Sequence, residues 1–193
     1  VVDSFDLVLL NANHQPIKVD GNHIAIIPNR QLTNFIPEDS VAGLFAKLAQ
    51  SSIDAGYTVH LFAHASDDMK LCRMIYEAIP NKSKTIFYQS NFSIPQTEEL
   101  LSGMSGVITA RYHGLVHAIK QAKSCFVIGW ATKYKVLIDA IEQQEYYIDL
   151  SQQSDLSPVY TRFQKWIERG INESDKIKEI VAKIQSESKL MNY

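Results

Sequence analysis

Short apolar, β-rich runs recur along this sequence with helix-length stretches between most of them. They fall at 7–10, 23–28, 57–63, 85–88, 106–109, 125–128 and 146–150. This alternation constrains the fold more than any other feature. Strands joined through helices run parallel, and a parallel sheet needs helices over both of its faces. Strands covered on both faces read as continuous apolar runs rather than alternating ones. Ile24-Ala25-Ile26-Ile27 and Cys125-Phe126-Val127-Ile128 have that character.

The intervening stretches carry helical signals. Residues 38–55 place Val41, Leu44, Phe45, Leu48 and Ala49 on one face. Pro37 and two acids mark the start of that helix, and Gly56 marks its end. Further helices are predicted at 67–79, 95–102, 112–122 and 133–144. The tail differs, with helices predicted at 156–170 and 173–190 and little β-propensity between them. Its charged pairs, such as Glu173 with Lys176, read as a solvated face. The expected division is an α/β domain over 1–150 and a helical tail over 151–193. That tail would pack on the domain or on an N-terminal domain of the same parent protein.

Composition narrows the function. The 193 residues hold 19 basic and 21 acidic side chains, a formal charge of −2, which gives no support to a nucleic-acid binder. With 46% hydrophobic residues, the chain has the apolar content of a packed globule rather than of a disordered tail. No run approaches the ~20 apolar residues of a membrane span. Cys72 and Cys125 each sit in an apolar stretch and read as buried thiols. With no sign of export, a reducing, cytoplasmic setting is expected. The start at Val1 is neither an initiator nor a signal peptide, so the chain reads as a piece of a longer protein.

Open parallel sheets bind ligands beyond the carboxyl ends of their strands. Arg30, His64, Arg111, His113 and Lys133 all follow strands, so that edge reads as cationic. It suits a small phosphate or carboxylate compound, which guanidinium groups hold through paired hydrogen bonds. The sharpest cluster is Arg111-Tyr112-His113-Gly114, where a strand turns into a helix. Free backbone N–H groups there add to the positive field, and an imidazole can transfer protons near neutral pH. The structural alternative is that Arg111 pairs with a buried acid and His113 caps a helix. His113 and His117 are four apart, but the glutamate of the zinc-protease motif is absent, so no metal is expected. His117 then reads as packed in or near the core. Gly-x-Ser-x-Gly, the phosphate loop and Gly-x-Gly-x-x-Gly are all absent from the sequence.

The stretch from Leu100 through Thr109-Ala-Arg-Tyr-His-Gly-Leu-Val-His to Ile119 resembles the signature of polysaccharide pyruvyl transferases. The likeness continues through 125–130 to Lys135-Val-Leu-Ile-Asp-Ala-Ile141, and Asp3–Leu10 resembles the segment leading into the family's second half. The resemblance implies an α/β fold, a Rossmann-like parallel sheet that forms one half of a GT-B two-domain transferase. It implies transfer of pyruvate from phosphoenolpyruvate to a sugar or lipid-linked glycan acceptor of a bacterial cell surface. A pyruvate ketal forms and phosphate leaves, with no cofactor, in the cytoplasm or at the inner face of the membrane. By motif match His113 would transfer protons. Arg111, with Gly114, would hold the donor, Lys135 would add charge, and Arg30 is a weaker carry-over. The tract between the first strand and Pro37 has no second arginine, which departs from the pattern. With the acceptor-binding domain absent, this chain alone is expected to be inactive.

Two other readings stay open. One is the sugar-nucleotide domain of a GT-B glycosyltransferase, and the other is a non-catalytic phosphometabolite-binding module. If Arg111 is purely a ligand group, Arg111→Ala should weaken anion binding by about 1.5–3 kcal/mol and leave the melting temperature nearly unchanged.

Overall fold

The computed structural model describes residues 22–90, 92–153 and 155–190. The expected strand at 7–10 and the segment Asp3–Leu10 lie outside them. The described residues form β1 (His23–Ile27), α1 (Glu38–Asp54), β2 (Thr58–Leu61), α2 (Met69–Ala78), β3 (Thr85–Phe87) and α3 (Ile94–Ser102). These are followed by β4 (Gly106–Thr109), α4 (Tyr112–Lys120), β5 (Ser124–Gly129), α5 (Thr132–Ala140), β6 (Tyr147–Asp149), α6 (Ser157–Glu168) and α7 (Ser174–Leu190).

All strand pairs are parallel, in the order β3-β2-β1-β4-β5-β6. This is the doubly wound order of a Rossmann-like sheet, and its direction reverses between β1 and β4. Successive side chains of a strand point to opposite faces. Ile24, Ile26, Ile108, Phe126 and Ile128 therefore face one core, with Leu44, Phe45, Leu48, Ile75, Phe163 and Trp166 from α1, α2 and α6. Ala25, Ile27, Val107, Cys125 and Val127 face the other, with Leu101, Leu115, Val116, Leu137 and Ile138 from α3, α4 and α5. Full burial of each large aliphatic side chain stabilises the fold by roughly 1.5–3 kcal/mol. The tail divides between the two cores, α6 covering the first and Ile177 and Val181 of α7 the second. Both thiols are buried, as their apolar surroundings in the sequence imply.

Several element ends differ from their expected places. Gly56 takes a left-handed φ of 94° just past α1, as its position predicts. The helices α4 and α5 stop short of 122 and 144 because Ala122 and Glu142 adopt φ of 53° and 56°. Neither residue type marks such a turn in a sequence. Residues Ser66–Asp68 form a 3₁₀ turn rather than the first turn of α2.

Candidate functional site

The sheet edge at the β1–β4 reversal carries the candidate site. Two side chains pin the end of β4 there. Asn29 donates through Nδ2 to the Ala110 carbonyl at 3.2 Å, and the Tyr134 hydroxyl donates to the same carbonyl at 2.8 Å. Thr109 Oγ1 accepts the Arg111 N–H at 3.0 Å, which sets the turn into α4. Gly114 is buried in the first turn of α4. A Cβ there would lie 2.8 Å from Thr109 Oγ1 and 3.1 Å from the Ile27 Cδ1. Glycine at this position lets the helix start close against β1 and β4, which carries its first amides to the edge.

Arg111 does not stand free at this edge. Its Nε and Nη2 donate to Asp68 Oδ2 and Oδ1, both at 2.7 Å, and Nη2 also reaches Asp67 Oδ1 at 2.8 Å. Asp68 is fully buried, and its Oδ1 also accepts the Arg30 N–H at 3.0 Å. A buried carboxylate needs this degree of pairing to remain charged. Among the described residues Nη1 of Arg111 makes no hydrogen bond, and the side chain stays 20% exposed. The Arg30 guanidinium lies 3.8 Å from Asp67, with both side chains about half exposed. Such a pair contributes little. The edge is therefore less cationic than its strand-following residues imply, because Asp67 and Asp68 offset part of the charge. The pairing joins residues 43 positions apart, and no local pattern in the sequence marks it.

His113 is exposed on the first turn of α4, and its ring stacks on His64, centroids 6.1 Å apart. His64 also meets His117, with ring centroids 6.0 Å apart. His117 is buried, as its apolar helix face implies, with Nδ1 3.0 Å from Glu98 Oε1. Lys120 donates to both oxygens of Glu98, at 2.9 and 3.1 Å. Burial lowers the His117 pKa despite the opposing pull of Glu98. Burial, followed by the neighbouring His117, His113 and Arg111, pushes His64 down to about 4, against a smaller pull from Asp68. At neutral pH His113 therefore rests on an uncharged ring. Glu98 and Asp68 were not singled out in the sequence, because each gains its role from a partner on another element.

The structure does not bring Lys135 to this group. Its ammonium pairs with Asp139 one helical turn along the exposed face of α5. Lys133 is the lysine on the site's side of α5, with Nζ 4.6 Å from the Tyr112 ring centroid. Its place in the first turn after β5 was the available signal. Trp130 is partly buried and packs on Tyr134 at 5.3 Å and Phe35 at 6.1 Å. Among the described residues, no group of three or more His, Cys, Asp or Glu side chains is placed to hold a metal ion.

A second histidine pair sits at the other end of the sheet. His60 Nε2 lies 2.8 Å from His23 Nδ1, and His60 Nδ1 lies 2.9 Å from the Tyr88 hydroxyl. Burial and then His23 push the His60 pKa down to about 4. An unfolded imidazole takes up its proton near pH 6.5, whereas the folded His60 and His64 refuse theirs until about pH 4. The unfolded chain thus binds more protons across this window, so stability falls as pH falls from about 6.5 to about 4. For the buried His60 the full loss is roughly 3 kcal/mol. Thermal melts between pH 7 and 4.5 should show this decline, and His60→Gln should remove the His60 share of it while leaving that of His64. A decline unchanged in His60→Gln would assign it to other groups.

Three solved structures resemble this chain in fold. TarM gives a TM-score of 0.53 at 15% identity, over 91% of this chain and 33% of TarM. A mutant of the Thermobaculum terrenum O-GlcNAc transferase gives 0.49 at 16%, over 92% of this chain and 37% of that one. The pneumococcal O-GlcNAc transferase GtfA, in complex with UDP and GlcNAc, gives 0.47 at 15%, over 92% and 38%. The chain spans about a third of the length of these structures. The likeness to TarM concerns the fold alone, a doubly wound parallel sheet that matches about a third of that chain. No curated protein matches the chain. The family model for polysaccharide pyruvyl transferase matches residues 4–132, more than half of the sequence and the whole span from β1 into the start of α5. That span includes Arg30, Asp68, Arg111 and His113, and by this match the chain belongs to the polysaccharide pyruvyl transferase family.

Proposed function

We propose that this chain is the donor-binding part of an enzyme that transfers pyruvate from phosphoenolpyruvate to a sugar of a cell-surface polysaccharide or its precursor. The observation that carries this reading is the β4–α4 turn. It sets an exposed imidazole beside the first-turn amides of a helix, at the reversal point of a doubly wound sheet. Family membership supports a polysaccharide as the molecule modified. Phosphoenolpyruvate carries a phosphate and a carboxylate. The α4 amides, the Nη1 side of Arg111, Arg30 and Lys133 are the groups available to hold them. The Asp68 brace fixes the guanidinium plane in advance, so little of its freedom is lost on binding.

In the reaction, one sugar hydroxyl adds to C2 of the enol as a proton is delivered to the methylene carbon, which becomes a methyl. The second hydroxyl then replaces phosphate at C2, and the ketal closes. His113 is the group we assign to proton delivery or removal, and positioned acid–base help of this kind accelerates a step by about 10²- to 10⁴-fold. The neutral His64 beneath it adds no repelling charge to an imidazole that must take up a proton in turn. We place the enzyme in the cytoplasm. Among the described residues no helix is long and apolar enough to cross a membrane.

The test has two parts. Phosphoenolpyruvate should shift the NMR signals of Arg111, His113, Gly114 and Lys133, whereas inorganic phosphate should shift them less. In the enzyme that contains this chain, His113→Ala should lower turnover about 10²- to 10⁴-fold. The melting temperature should hold, since His113 is exposed. Shifts at these residues with a uridine-diphosphate sugar alone would instead establish the glycosyltransferase reading.

A further inference from the structure

We infer that the hollow beyond β1 and β6 is a binding subsite for neutral sugar units of the glycan acceptor. The hollow holds about 530 Å³ and is lined by Phe35, Ile36, Leu150, Ser151, Gln152 and Gln153. It is within the size range of small-molecule sites. Both of its walls follow strands at their carboxyl ends, so it opens on the same edge of the sheet as His113.

Three observations point to a saccharide. The first is Phe35, which is 41% exposed although the turn before it is firmly built. Leu32 is buried beneath that turn, Asn29 Oδ1 accepts the Gln31 N–H at 3.0 Å, and the Phe35 N–H donates to the Leu32 carbonyl at 3.0 Å. An aromatic face held out by a rigid turn offers a flat apolar surface, which the C–H face of a pyranose can cover. The second is Gln153 Oε1, which is buried and has no hydrogen-bond partner among the described residues. Leaving such an acceptor unsatisfied costs about 1–3 kcal/mol, and turning the amide outward to a ligand hydroxyl in the hollow would offset it. The third is the lining itself, which among the described residues includes no charged side chain. A nucleoside diphosphate or other polyanion would find no cation among these described residues, whereas amides and an aromatic ring suit a neutral polyhydroxyl compound.

Ring contacts join the hollow to the catalytic edge. Phe35 meets Trp130 at 6.1 Å, Trp130 meets Tyr134 at 5.3 Å, and Tyr134 meets Tyr112 at 5.8 Å, next to His113. A glycan with one unit in the hollow could thus run along the sheet edge toward the imidazole. The inference rests on the glycan-acceptor part of the proposed function and not on its donor.

The experiment is an NMR titration of this chain, without phosphoenolpyruvate, using three neutral tetrasaccharides: maltotetraose, chitotetraose and β-1,4-galactotetraose. Uridine diphosphate serves as the contrast. At least one tetrasaccharide should shift the signals of Phe35, Ile36 and residues 150–153 at millimolar concentration. Phe35→Ala and Gln153→Leu should each weaken that binding by about tenfold. Both side chains lie outside the two sheet cores, so both variants should keep the wild-type spectrum elsewhere. No shift with any of the three sugars, shifts untouched by either variant, or shifts with uridine diphosphate alone would each overturn the inference. The donor reading is judged separately, at Arg111 and His113, so either can fail while the other stands.

Discussion

Arg111→Ala is expected to lower the unfolding free energy by roughly 3 kcal/mol, the lower end of the cost of removing one partner from a buried ion pair. The lower end applies because the Arg111 side chain is 20% exposed while Asp68 is fully buried. The variant leaves the Asp68 carboxylate in the interior with only the Arg30 N–H as a donor among its described partners. Urea unfolding measures the loss directly. The double variant Arg111→Ala with Asp68→Asn should recover much of it, because an amide there carries no charge to desolvate. Anion binding should weaken in both variants, since neither has the guanidinium. Of the two readings the sequence left open, a ligand group with little effect on melting and a partner of a buried acid, the pairing with Asp68 matches the second. If Arg111→Ala melts like the parent chain, the brace described above contributes nothing and Arg111 acts on ligands alone.

Trp166→Ala is expected to cost about 3–5 kcal/mol, the range for truncating a large buried aromatic. Trp166 is fully buried, 6.0 Å from Phe126 of β5 and 5.8 Å from Phe163. Its Nε1–H donates to Ser124 Oγ at 2.8 Å, at the start of β5. The truncation therefore opens a cavity under the sheet and removes a buried hydrogen bond together. Both effects fall where α6 docks, so the amides of α6 should exchange faster than those of α1 in the variant. Lys165→Ala, an exposed change on the same helix, should stay within about 0.5 kcal/mol of the parent and serves as the control. Equal losses from the two variants would mean that α6 is not seated as described.

The sheet and most of its helices were legible in the sequence because their signals are local. Ile24–Ile27 and Cys125–Ile128 read as strands buried on both faces, and each supplies alternate residues to the two cores. Helix α1 read correctly because Pro37, two acids, an apolar face and Gly56 agree with one another. The ends of α4 and α5 did not, since the left-handed residues that stop them are Ala122 and Glu142, and tertiary packing overrides their weak preference. The candidate site divides along the same line. Strand ends mark the loops that reach the ligand edge, so Arg30, Arg111 and His113 could be named from order alone.

What the sequence by itself determined is the parallel, doubly wound class of the fold and the sheet edge that carries the candidate site. Hydrophobic period and punctuation are properties of short segments, and those segments dictate both. Only the tertiary structure decided that Arg111 is braced by Asp68, that His113 rests on a neutral His64, and that Lys133 rather than Lys135 faces the site. It alone decided that Phe35 and Gln153 share one hollow. Each of these depends on which distant segments meet and on how much water is left between them. Burial and pairing then set charge and position, and neither is a property of any one stretch of chain.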